Sequence, residues 1–304
     1  MTEAPSPYDK FGLQFAWDST SLKRAATCLR LYQYESIEGW QSPFKSVHLW
    51  FGGHYATALE HYYVHRAAGK DREEAIRLIV REALENTWDK EKAAPMRFDS
   101  AEKTRETLIR TIVWYFEQFV DDNFSTYITS EGIPAVEHSF RLPVDNDLIF
   151  CGHIDRLAVD PMDELFVHDQ KTTKSALSPQ YFRNFDLDIQ MSIYTFAGKM
   201  IYNVPVKGVI VDAAQVLVGS TRYDRSPTLR TDGHLNEWYD ETMKTIEVAR
   251  NAQKENFFPR NTNACGNFGG CPFRHVCSRS PSLREPFLKA DFVKGKIWNP
   301  LEQR

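Results

Sequence analysis

No apolar run in this 304-residue chain approaches the roughly 20 residues that a membrane-spanning helix needs. The opening stretch MTEAPSPYDK has no hydrophobic core of the secretory kind either. A surplus of positive charge is also missing. The chain has 37 Lys and Arg against 41 Asp and Glu, a formal net charge of −4, which excludes attraction to nucleic acid over the whole surface. Any such binding must rest on a local basic patch. Cysteine is scarce, at five residues, and in a reducing compartment it points to metal ligands or free thiols and not to a disulfide frame. Repeats and low-complexity tracts do not occur. With 42% hydrophobic and 26% charged residues, the composition is that of a cytoplasmic globular protein with a sizeable core, in one large domain or two.

The chemistry that is present concentrates in residues 151–194. A strand is expected to end at Asp155, a turn falls at Asp160-Pro161, and residues 165–171 (Leu-Phe-Val-His-Asp-Gln-Lys) form the return strand of a hairpin. Alternate side chains of a strand share a face, so Asp169 and Lys171 project together and Asp155 reaches the same patch. Two carboxylates about 4 Å apart repel by roughly 4 kcal/mol at an effective dielectric near 20. Either one takes a proton or a cation lies between them. Mg²⁺ suits the second option, because it binds a few carboxylates and fills its other positions with water or substrate phosphate. An exposed Asp-x-Lys pair is otherwise an ordinary solvated ion pair.

Residues 1–16 read as a lead-in segment. Asp18-Ser19-Thr20-Ser21 supplies N-cap residues for a short helix over 22–29, with Cys28 on it. Leu49-Trp50-Phe51-Gly52-Gly53-His54 leads into a helix through Leu59 and Tyr63. Three-to-four spacing predicts helices over 75–88 and 108–120, and a period of two predicts a strand over 136–142. A helix over about 187–202 places Gln190, Ile193, Tyr194 and Ala197 on one face. Residues 207–219 form a buried strand, a polar loop or hairpin end starts at Gly219, and 235–256 is a further amphipathic helix.

Cys265, Cys271 and Cys277 fall within thirteen positions, among glycines that let the chain wrap closely. Three free thiols so close together invite oxidation, so a shared metal is the economical account. Cys28 or His275 is available as a fourth ligand, while Cys151 has the look of a packed strand thiol. A Cys₄ set holds either zinc or an iron–sulfur cluster.

Gly152-His153-Ile154-Asp155-Arg156, then Asp169-Gln170-Lys171-Thr172-Thr173, then Gln190-x-x-x-Tyr194 resemble in order and separation the motifs of the PD-(D/E)XK nuclease superfamily, RecB-like branch. The resemblance implies an α/β fold: a restriction-endonuclease-like core with a central mixed sheet flanked by helices, and an N-terminal helical layer. It implies one nuclease domain over 17–280 (helical part 17–130, catalytic core 131–256, cysteine cluster 257–280) and a tail over 281–304. It also implies a metal-dependent DNA exonuclease acting at single-stranded ends. Asp155, Asp169 and the Gln170 main-chain carbonyl would hold Mg²⁺ or Mn²⁺, Lys171 would orient the attacking water, and Gln190 and Tyr194 would support the site. The family's metal-binding histidine falls here on Ala56, which leaves Glu60 or His54 as candidates for a further ligand, with His61 near but out of register. Glu137 stands where the family often carries an acid. Lys174 and Arg183 would contact the DNA backbone, and Tyr181 or Phe182 would stack on bases. Cys28, Cys265, Cys271 and Cys277 match the one-before, three-after layout of the iron–sulfur CRISPR-associated exonucleases and AddB-type nuclease domains. That layout implies a [4Fe-4S] cluster joining the chain ends, with Zn²⁺ as the alternative. The implied partners are DNA, then a second copy of the chain or recombination or CRISPR-adaptation proteins, and no membrane. The implied setting is a bacterial or phage-infected cell, with a phage-encoded member among the possibilities. The alternative function is a DNA-binding or processing subunit of such an assembly with weak cleavage of its own.

Overall fold

The computed structural model describes residues 4–44, 46–96, 100–145, 147–202 and 205–302. Its longer elements, with the short β1, run β1 (Ala16–Trp17), α1 (Ser19–Thr27), α2 (Val47–Ala67), α3 (Arg72–Asn86), α4 (Arg105–Gln118), β2 (Val136–Asp145), β3 (Leu148–Val159), β4 (Leu165–Thr173), α5 (Ile189–Ile201), β5 (Val206–Val216), β6 (Thr221–Leu229), α6 (Asp232–Glu255) and α7 (Pro281–Asp291). Side-chain caps set where several helices start. Asp18, Asp71, Thr104 and Asp188 each accept a first-turn N–H of α1, α3, α4 and α5, and Thr231 forms a capping box with His234 on α6. None of the described helices is long and apolar enough to cross a membrane.

The chain forms two compact units. One comprises Met1–Lys45, Ser139–Gly152 and Thr231–Arg304, and the other Ser46–His138 and His153–Arg230. Strands β2 and β3 each begin in one unit and end in the other. In the first unit, β1 lies parallel to the start of β3, with Ala16 beside Ile149 and Trp17 beside Phe150. Tyr34, Trp40, Phe273, Val276, Leu288 and Phe292 make a core there, and Cys271 and Cys277 pack against it.

The second unit holds a mixed sheet flanked by helices. β3 and β4 pair antiparallel, β4 and β5 parallel, and β5 and β6 antiparallel. The parallel pair needs a crossover, and α5 supplies it. It packs so closely that a Cβ on Gly198 would stand 2.6 Å from Val206 Cγ2. Side chains alternate along β5. Ala214 and Val216 join Phe51, Tyr55, Leu59, Ile79, Leu108, Ile112 and Phe116 of α2, α3 and α4 in one core, which leaves the opposite face of the sheet for α5.

Four local expectations change. Cys28 is not on a helix: its extended backbone (φ −168°, ψ 120°) separates α1 from a helical turn over Leu29–Tyr32. The Leu49–His54 segment lies inside α2, because buried Phe51 and Tyr55 already belong to its packed stripe and Gly52-Gly53 are spanned without a break. Strand β3 continues past Asp155 to Val159, since Arg156 to Val159 find partners in His168 to Leu165. The segment after Gly219 is no loop beyond its first residues. Thr221–Leu229 is a nine-residue strand whose polar residues disguise it in the sequence, because Arg225 lies directly across from Asp212.

Candidate active site

The β3–β4 register pairs Arg156 with His168, so one further step sets Asp155 against Asp169. There the ladder gives way to a side-chain contact, in which the Gln170 N–H donates to Asp155 Oδ2 at 3.0 Å. Asp169 is fully buried. Its Oδ2 forms an ion pair with Lys171 Nζ at 2.5 Å, while its Oδ1 meets no hydrogen-bond donor among the described residues. Lys171 Nζ also donates to Gln190 Oε1 at 3.1 Å, and Gln190 Nε2 donates to the Tyr194 hydroxyl at 3.0 Å. Gln190 and Tyr194 are one turn apart on α5, which explains how one helix face can fix both.

The electrostatics derive from burial and the facing acids. Burial first, then the Asp169 charge, push the Asp155 carboxyl up to about 7, against the pull of Lys171 and the Gln170 N–H. Burial disfavours the Lys171 charge, but Asp169 and Asp155 outweigh it and hold the ammonium above its ordinary range. Burial and the same two acids keep Tyr194 neutral, its pKa far above the usual tyrosine value. In this arrangement Lys171 Nζ serves both Asp169 and Gln190 as a hydrogen-bond donor.

Two carboxylates, one with a buried oxygen lacking a donor, form a donor set that suits a hard divalent cation. A third side-chain ligand does not complete it, for among the described residues no three His, Cys, Asp or Glu come together as a metal site. His54 instead packs edge-on against Trp50, with ring centroids 4.6 Å apart, and burial lowers its pKa. His61 is tied to Glu82 at 2.5 Å. Glu60 lies on the same helix without joining a three-ligand group.

Of the proposed DNA contacts, Tyr181 lies within electrostatic range of Lys171 and Asp169 and packs against Phe182 and Phe185. Lys174 pairs with Glu102 at 3.4 Å, and Arg183 is exposed at the end of a helical turn. Asp188 is a site residue that the motifs do not single out. It caps α5 by accepting the Gln190 N–H at 2.7 Å and adds negative charge near Lys171; its place just before an apolar helical run was the available signal. Glu137 adds its charge to Asp155 and takes a left-handed backbone, φ 46°.

In the first unit the thiols of Cys28, Cys265, Cys271 and Cys277 are all partly exposed and free. Asn261 touches two of them: its N–H donates to Cys28 Sγ at 3.3 Å, and its carbonyl accepts from Cys265 Sγ at 3.8 Å. Cys271 is within electrostatic range of Cys265 and Cys28, and Cys277 of Cys271 and Cys28. Among the described residues these thiols are neighbours without being drawn together into a set of three or more around one point. Cys151 is buried, and burial pushes its thiol pKa up. His275 pairs with Asp291 at 2.9 Å.

Helices on both faces of a mixed sheet, with two acids and a lysine converging on paired strands, define an α/β fold of the nuclease kind. The chain belongs to the PD-(D/E)XK nuclease superfamily, whose family model matches residues 17–278. No match was found among curated proteins. Among solved structures, a protein of Eubacterium rectale provisionally described as an exonuclease shares 12% identity at a TM-score of 0.48, over 82% of this chain and 87% of that one. The protein SSO0001 shares 11% identity at a TM-score of 0.31, over 75% of each chain. Both likenesses are too weak to bear on function.

Proposed function

We propose that the chain is a metal-dependent deoxyribonuclease, an exonuclease that hydrolyses phosphodiester bonds at single-stranded DNA ends. One observation carries this: Asp155 and Asp169 fall opposite each other at the end of the strand ladder, with Lys171 fixed between Asp169 and Gln190. Asp155, Asp169 and the Gln170 carbonyl would hold Mg²⁺ or Mn²⁺, with water and phosphate oxygens in the remaining positions. When bound, such an ion supplies Lewis-acid polarisation of the phosphoryl group and acidifies water. Lys171, whose charge the two acids favour, would orient the attacking water and offset negative charge growing on the phosphoryl oxygens, the water's proton passing to bulk solvent. Gln190 holds that ammonium in place and passes the constraint to Tyr194. Tyr181 offers a stacking ring without sequence preference, and Lys174 and Arg183 face the backbone phosphates.

Cys28, Cys265, Cys271 and Cys277 would bind a [4Fe-4S] cluster in preference to zinc, in a structural role. The partial exposure of the thiols and the Asn261 N–H aimed at Cys28 support this, since N–H donors to sulfur are a common outer shell of such centres. A second reading, a DNA-processing subunit of a recombination or CRISPR-adaptation assembly with weak cleavage, is favoured by Ala56, which stands where the family carries its metal-binding histidine.

Digestion of single-stranded DNA with Mn²⁺, comparing the native chain with Lys171→Ala, tests the first reading. Loss of cleavage in the variant supports it, whereas equal background-level degradation by both eliminates it. A brown, iron-containing preparation supports the cluster, and a colourless one with bound zinc replaces it with the alternative.

A further inference from the structure

Lys103 is 2% exposed, yet among the described residues no carboxylate comes within ion-pair reach of its ammonium, and its side-chain partner is the Phe51 ring, 5.3 Å away. Burying an ammonium without a counter-ion is costly. The adjacent acid does not supply one, because Glu102 is turned toward Lys174 at 3.4 Å. His48 lies within electrostatic range of both lysines, whose charges after burial hold down its pKa, and of Glu102, which acts the other way. His48 is also in the first turn of the 21-residue helix α2, which receives no cap from the Ser46 side chain and whose first N–H groups meet no acceptor among the described residues, so that it presents the positive end of its dipole. One turn along, a Cβ on Gly52 would stand 3.4 Å from Thr172 Oγ1 of the catalytic strand. Lys174 comes three residues after Lys171, about 10 Å of extended chain.

We infer that Lys103, Lys174 and His48, at the open end of α2, hold a non-scissile phosphate of the substrate strand beside the proposed catalytic centre. Several donors surround this point, which suits a phosphate, with its many acceptor oxygens, better than a carboxylate with two. That the phosphate belongs to DNA rests on the nuclease reading, whereas the anion site itself does not.

The test uses the full chain in chelator, so that no cleavage occurs. Fluorescence anisotropy of a labelled single-stranded oligonucleotide is measured over a salt series, and thermal unfolding is compared with and without inorganic phosphate. Lys103→Gln is expected to weaken oligonucleotide binding about tenfold, the loss of one charge-assisted contact. It should also flatten the slope of log affinity against log salt by about one and abolish stabilisation by phosphate. Lys103→Arg should retain all three. Unchanged affinity and slope in a folded Lys103→Gln protein overturns the site. If that variant does not fold, Lys174→Gln at the exposed lysine must show the same losses, and unchanged behaviour there overturns it equally. A native chain that cuts DNA while both variants bind normally removes the anchor alone. One that fails to cut but keeps Lys103-dependent phosphate stabilisation removes the nuclease reading alone. A native chain that neither binds the oligonucleotide nor responds to phosphate sinks the site.

Discussion

Asp155→Asn should make the metal-free protein less sensitive to pH. The native Asp155 carboxyl is pushed from an ordinary 3.8 to about 7 by burial and by Asp169. A folded-state pKa raised above the unfolded value means that the contribution to stability is complete below about pH 4, falls as pH rises, and is lost once pH passes about 7. Three pKa units at about 1.4 kcal/mol each give a loss of about 4 kcal/mol between those limits. Asparagine cannot titrate, but its side-chain oxygen still accepts the Gln170 N–H. Urea unfolding in chelator, from pH 4 to pH 8 at fixed ionic strength, should show the variant gaining about 4 kcal/mol relative to the native chain. Parallel curves, with a constant gap, would refute the reasoning. The same proton must leave before a divalent ion binds both acids, so Mn²⁺ affinity of the native chain should fall about tenfold per pH unit below 7.

Gln190→Ala frees Lys171 and Tyr194 without emptying the core. It should cut the turnover number for DNA hydrolysis by about ten- to a hundredfold, with KM and Tm little changed; an unaltered turnover number contradicts the role given to Gln190. Arg225→Met strands Asp212, which is 1% exposed and bonded to Arg225 Nε at 2.8 Å and to the Tyr115 hydroxyl at 2.6 Å. A destabilisation of about 3–5 kcal/mol in urea unfolding is expected, and a change under 1 kcal/mol would show that the pair is dispensable.

The candidate site on β4 was legible because its chemistry is local. A spacing of two along a strand puts Asp169 and Lys171 on one face whatever surrounds them, and a spacing of four on a helix does the same for Gln190 and Tyr194. The family was readable from those motifs. What escaped depends on residues far apart in the chain. Arg225 reads as a loop residue until β6 is laid against β5 and brings it to Asp212. The backbone break at Cys28 leaves no trace in the residue types around it, because the apolar spacing runs through it undisturbed. A candidate third metal ligand was unsettled in the sequence, and among the described residues neither His54 nor Glu60 enters a three-residue set.

The unit containing Met1–Lys45 also needs Thr231–Arg304, while the other unit has all its residues once Arg230 has been made. During translation the inner unit is thus the first able to close. At about 5–20 residues per second, the Cys28 thiol waits on the order of 10–50 s for Cys265 to be synthesised. Over that interval residues 1–45 have no finished unit to join, which makes them the stretch that chaperones, proteases or premature oxidation can reach.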